Sequence, residues 1–289
     1  MNNAVAKSEI KNEVNETSIV TANALFNFMR NYEYLETVIK NMSIMPRYYT
    51  ENVSYLNLKY DDSKIEEWCI PMTCFCDIPL HQIAYHAEGS QLVNNDQGYG
   101  KFSIAFHKSF GLKKGMQPIH YLNRNSILTT NLSMSLNTIF EQMNNGDGLI
   151  EINSIITNQL FEYIRLVKPH FGVMNRDDQL IKKNFHDEHE WRFIPDLSDI
   201  DLPLMLVDKE EIRNEKLNHT YTNAIAYAKN GLLDFEIDDI RYIFVDNNSN
   251  RNKLIEFIRT LNKGITLSKM KKDILISKIM VYEELKEDW

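Results

Sequence analysis

Glu67-Trp68-Cys69-Ile70-Pro71-Met72-Thr73-Cys74-Phe75-Cys76-Asp77-Ile78-Pro79 is the most informative run in this chain. Between Pro71 and Pro79 apolar, β-branched and Cys residues dominate, which predicts a buried strand running into a turn. Upstream, Ala24-Leu25-Phe26-Asn27-Phe28 reads as a strand or a buried entry segment, and Asn31 to Ile44 carries Tyr34, Leu35, Val38, Ile39 and Met42 at helical spacing. Downstream, Leu80 to His86 makes one or two helical turns. Gly98-Tyr99-Gly100 is a turn signal before a strand over Lys101 to Phe106, and Pro118 to Leu122 is another short strand. Leu132, Leu136, Ile139, Phe140 and Met143, then Ile152, Ile155, Ile156, Leu160, Phe161 and Ile164, predict two helices broken near 144–148. Glu190 to Ile194 is a strand stopped by Pro195, Lys209 to Ala228 is mostly helical, Ile240 to Val245 is the clearest strand, and Asn250 to Leu261 is a helix.

These elements predict an α+β fold with a mixed or antiparallel sheet. A mobile polar tail is expected over 1–20 and a single α+β domain over 21–289, with a helical insertion at 126–168 and a terminal helical segment at 265–289. The chain has 289 residues, so it can bury a sizeable core without staples. With 10 Gly, 7 Pro and 3 Cys beside 14 Phe and 14 Tyr, it is neither collagen-like, disulfide-scaffolded nor disordered. Its 32 Lys+Arg against 40 Asp+Glu leave a net charge of −8, which argues against general nucleic-acid binding. No apolar run approaches the roughly 18 residues of a membrane span, and no secretory pattern opens the chain, so a cytoplasmic location without membrane contact is expected.

Two clusters carry chemistry. Cys69, Cys74, Cys76, His81 and His86 contain enough ligands for zinc, with Cys74 and Cys76 on one strand face. A C-x-C pair on a straight strand wraps a metal less well than C-x2-C, so the expectation is small buried thiols and no metal. His186-Asp187-Glu188-His189-Glu190-Trp191-Arg192 is the densest ionisable segment. Strand alternation sends Glu188, Glu190 and Arg192 one way and Trp191 and Phe193 the other. A carboxylate near an Arg beside an aromatic wall suits catalysis or ligand gripping; the alternative is a structural salt bridge at a strand start. A third acidic group, Glu236, Asp238 and Asp239, reads as a cap or a solvated face. Phosphate-binding glycine motifs, H-E-x-x-H and G-x-S-x-G are absent from the sequence.

Ile70 to Leu80, Tyr99 to Phe106 and Glu188 to Pro195, in that order, resemble the AbiGi family of abortive phage-resistance proteins. Leu25-Phe26-Asn27-Phe28 and Leu233 to Val245 agree, so the resemblance spans roughly residues 24–250. It implies a bacterial anti-phage role as an antitoxin-like or sensor partner of a toxin, with a protein partner and no known reaction. A fainter likeness is to mono-ADP-ribosyltransferases of the DNA-modifying toxin type. That likeness implies a defence enzyme using NAD, with Glu190 as catalytic carboxylate assisted by Glu188 and Arg192. Its cofactor cleft would involve Phe28, Tyr99 and Ser103, with Arg30 as the early Arg. Asn27 stands where histidine-type members carry a nicotinamide-ribose-binding His.

Overall fold

Ten residues, Glu67–Cys76, form the longest strand of the main sheet, and the other elements are arranged along its two edges. The computed structural model describes residues 22–89, 98–144, 151–176, 179–261 and 267–288. The polar tail and the 145–148 helix break expected from the sequence lie outside the described residues. Eight strands make one sheet: β1 (Ala24–Met29), β2 (Arg47–Asn52), β3 (Glu67–Cys76), β4 (Phe102–His107), β5 (Gln117–Pro118), β6 (Glu190–Phe193), β7 (Ile240–Val245) and β8 (Ile279–Val281). Their order is β8-β7-β4-β1-β3-β6-β5, with β2 paired to the first part of β3. All these pairs are antiparallel except β7–β8, which is parallel, so the sheet is mixed.

Alternation along each strand sorts the side chains onto two faces. On one face Leu25, Phe75, Ile104, Phe106 and Ile243 pack against helices α1 (Tyr32–Asn41), α4 (Asn248–Thr260) and α5 (Lys269–Ser277) through Leu35, Ile39, Leu254, Ile258 and Leu275. On the other face Ala24, Phe26, Ala105 and Phe244 meet Ile78, Ile83 and Tyr282. A separate core joins Trp68, Ile70 and Met72 of β3 to Leu132, Leu136, Phe140 and Ile164 of the inserted helical pair, α2 (Ile127–Asn144) and α3 (Glu151–Ile164). Phe26, Phe106 and Phe244 are at most 1% exposed; each such side chain contributes roughly 1.5–3 kcal/mol.

Three local departures from the sequence expectation have physical causes. The first helix stops at Asn41 because Met42 turns left-handed (φ 51°), and Ser43–Ile44 then pairs with Leu233–Asp234. β3 begins at Glu67 and runs through Pro71. The amides of Cys69 and Asp77 bond Leu206 O (2.9 Å) and His189 O (3.0 Å) on the β6 edge. Pro71 has the same parity, so its missing N–H falls on that edge, between the Leu206 bridge and β6, and the β2–β3 ladder on the opposite edge is spared. β2 itself, Arg47-Tyr48-Tyr49-Thr50-Glu51-Asn52, was too polar to read as a strand. Glu236 and Asp239 form a reciprocal capping box, as the acidic cluster there suggested.

Candidate functional site

β6 is four residues long and is held on one side by β3, in the register Glu190↔Cys76 and Arg192↔Cys74. Directly paired residues share a face, so Glu190, Arg192, Cys74 and Cys76 point together, while Trp191 and Phe193 enter the opposite core. The turn Phe185–Glu188 precedes β6, and His189 is left-handed (φ 44°). That turn brings Glu188 onto the same face as Glu190.

A chain of buried charges results. Arg192 Nε donates to Glu190 Oε1 (2.7 Å), Nη1 donates to Glu51 Oε2 (3.0 Å) and Arg165 O (2.7 Å), and Nη2 donates to Glu51 Oε1. Lys168 Nζ bridges Glu190 Oε2 (2.8 Å) and Glu188 Oε2 (3.0 Å) and lies 4.4 Å from the centre of the Phe185 ring. Glu188 Oε1 accepts from Tyr99 Oη and lies 3.2 Å from Lys183 Nζ. Tyr121 Oη accepts the Glu190 amide at 2.8 Å. Glu188, Glu190 and Arg192 are 4%, 3% and 1% exposed.

Burial by itself would push Glu190 towards its neutral form. Arg192 and Lys168 overcome it and hold the carboxyl far below the usual carboxylate range. Glu188 behaves alike: burial raises it, and Lys168 and Lys183 bring it below normal. Lys168 is driven above the usual lysine value, since Glu188 and Glu190 outweigh its desolvation. The thiols of Cys74 and Cys76, facing the same charges, are raised first by burial and then by the carboxylates, so they stay protonated. Both oxygens of Glu190 are engaged by cations. As folded it is an ionised carboxylate bridged to both cations.

The structure gathers several of the residues expected from the sequence beside this network. Phe28 stacks on Phe26 (6.0 Å) and meets His86 at a tilt (6.1 Å), and His86 stacks on Tyr99 (6.1 Å), which reaches Glu188. Ser103 pairs in register with Phe28 on that same face and is 1% exposed. Asn27 points to the other face, and its Nδ2 donates to Cys74 O at 2.9 Å, stitching β1 to β3 where the two strands diverge. Arg30 is exposed and lines a separate groove with Glu88, Lys101 and Asp246. Asp77 pairs with Lys108 at 2.6 Å. His81 is exposed and His86 buried; among the described residues no three His, Cys, Asp or Glu side chains come together as a metal-ligand set. Sequence reasoning missed Glu51, Lys168, Lys183 and Tyr121. Glu51, Lys168 and Lys183 lie in segments with no local motif, Tyr121 lies in the short strand expected at 118–122, and only long-range pairing brings the four to β6.

Residues 42–246 match the family model described as abortive phage resistance protein AbiGi, antitoxin. The chain belongs to the AbiGi family. It is 49% identical over 257 residues to the abortive phage resistance protein AbiGi of Lactococcus lactis subsp. cremoris, an alignment covering 86% of this chain and 100% of that protein. The AbiGi match contains every member of the charge chain, from Glu51 to Arg192, and six of the eight sheet strands, β2 to β7, from end to end. No solved structure matches. Among the described residues no helix is long and apolar enough to cross a membrane.

Proposed function

We propose that this AbiGi chain is the antitoxin half of a two-component abortive-infection system, acting in the cytoplasm by binding a protein toxin rather than by catalysing a reaction. The observation that carries this reading is the closure of its densest ionisable segment. Glu190, the carboxylate best placed for chemistry, has both oxygens bound by Arg192 and Lys168 and is 3% exposed. The family description, antitoxin, agrees with it. The net charge of −8 favours a basic partner and would speed the encounter at low salt.

The test is co-expression with the product of the adjacent gene. A stoichiometric complex on size exclusion, together with relief of toxin-induced growth arrest, is the expected result. Transfer of label from NAD to an acceptor in cell extract by the purified chain, or neutralisation without any complex, would overturn the reading.

A further inference from the structure

Helix α2 (Ile127–Asn144) has two unlike faces. Inward, Leu132, Leu136 and Phe140 enter the core shared with β3. Outward, alternating steps of four and three residues align Ile127, Asn131, Met134, Thr138 and Glu141 in one exposed stripe, about 21 Å long. Ile127 is 79% exposed and Met134 63%, and Leu128 beside the stripe is 61% exposed. From Asn125 to Phe140 the sequence holds no charged residue and no His. The hydroxyls of the outer face are spent within the helix. Thr130 Oγ1 donates to Ser126 O (3.2 Å), Ser135 Oγ to Asn131 O (3.0 Å) and Thr138 Oγ1 to Met134 O (3.0 Å). Covering this face therefore strands none of these hydroxyl donors. Exposed large apolar side chains on a surface depleted of charge are the composition of a protein interface core.

Charge selects what covers it. Residues 125–164 contain no Lys, Arg or His but hold Glu141, Asp147, Glu151 and Glu162, so this segment alone contributes −4 of the net −8. Glu162 is paired with Arg165. The last turn of α2 has no basic residue, and Glu141 there adds to the negative end of the helix dipole. A second copy of the chain, an anionic lipid surface or a nucleic acid would set like charge against like at this end. We propose that the Ile127–Glu141 face of α2 is the docking surface for a protein partner that brings an apolar ridge onto Ile127 and Met134 and a Lys or Arg side chain to Glu141. This rests on the toxin-binding reading and names the surface that reading requires.

The test follows binding of the full chain to the purified product of the adjacent gene by surface plasmon resonance at low and high salt. Met134→Lys puts a charge in the middle of the apolar stripe and should weaken the complex roughly tenfold or more. Glu141→Lys should slow association roughly threefold at low salt and by less at high salt. Tyr227→Lys, equally exposed but on the separate turn Ile225–Tyr227, should bind as the wild type does. All three side chains are exposed, so the urea midpoints of the variants should match the wild type. Wild-type affinity in Met134→Lys would overturn the surface and leave toxin binding standing. Weakening by Met134→Lys without slower association in Glu141→Lys would refute the basic contact. A wild-type chain that self-associates and is split to monomers by Met134→Lys would make the occupant a second copy, against the proposal. Failure of the wild-type chain to bind at all would remove the toxin-binding reading itself, and this surface with it.

Discussion

Arg192 spends its guanidinium on two carboxylates and a carbonyl, Glu190, Glu51 and Arg165 O, at a position 1% exposed. Removing such a partner leaves its neighbours charged and buried, which costs far more than the pair contributes in sum. Arg192→Leu would leave Glu51 and Glu190 without their shared cation, and we expect a loss of about 3–5 kcal/mol in urea-induced unfolding. Arg192→Lys should recover only part of it, because a lysine cannot span both carboxylates in the planar fork that arginine offers. The orientation of these residues was legible in the sequence: period-two alternation placed Glu188, Glu190 and Arg192 on one face and Trp191 and Phe193 on the other. Their partners were not. Lys168 precedes Glu190 by 22 residues and Glu51 precedes Arg192 by 141, and no local pattern ties such distant segments together.

At the scale of elements, the link between the α-helical turn at Ile83–Glu88 and β4 depends on Gly100. Its φ of +103° is closed to other residues, and an added Cβ would overlap the carbonyl of Met29 at the end of β1. The position before it holds Tyr99 against Glu188. Gly100→Ala should therefore cost about 3 kcal/mol, combining backbone strain with a clash against main chain. Gly115→Ala is the control: its φ is also positive (+71°) but open space surrounds it, so about 1 kcal/mol is expected. The two urea midpoints should separate accordingly. Apolar elements such as β1, β4 and β7 were readable because their burial alternates or runs continuously. β2 was hidden: only Tyr48 of its six residues is fully buried, and it is recognisable as a strand only through its ladder to β3.

For the whole molecule, the buried charges set a pH window. Glu188 and Glu190 have folded pKa values below the ordinary 4.5. The stability they contribute is complete above that value and is lost as pH falls through their folded values. Cys74 and Cys76 are raised above 9.0 and Lys168 above 10.5, so their contributions are complete below those values and are lost as pH rises beyond them. Between about pH 5 and pH 9 this set contributes a constant amount. Urea midpoints measured from pH 3 to 8 should fall below about pH 4.5, and the fall should be shallower in Glu190→Gln, which has no charge to lose.

The same closed chain of charges restricts how this protein can drift in evolution. Glu51, Lys168, Glu188, Glu190 and Arg192 each complete a neighbour's hydrogen bonds, so a mutation at one of them strands another. Single charge changes there should act as folding defects. The five positions are free to change only as a group, by simultaneous exchange for packed apolar side chains.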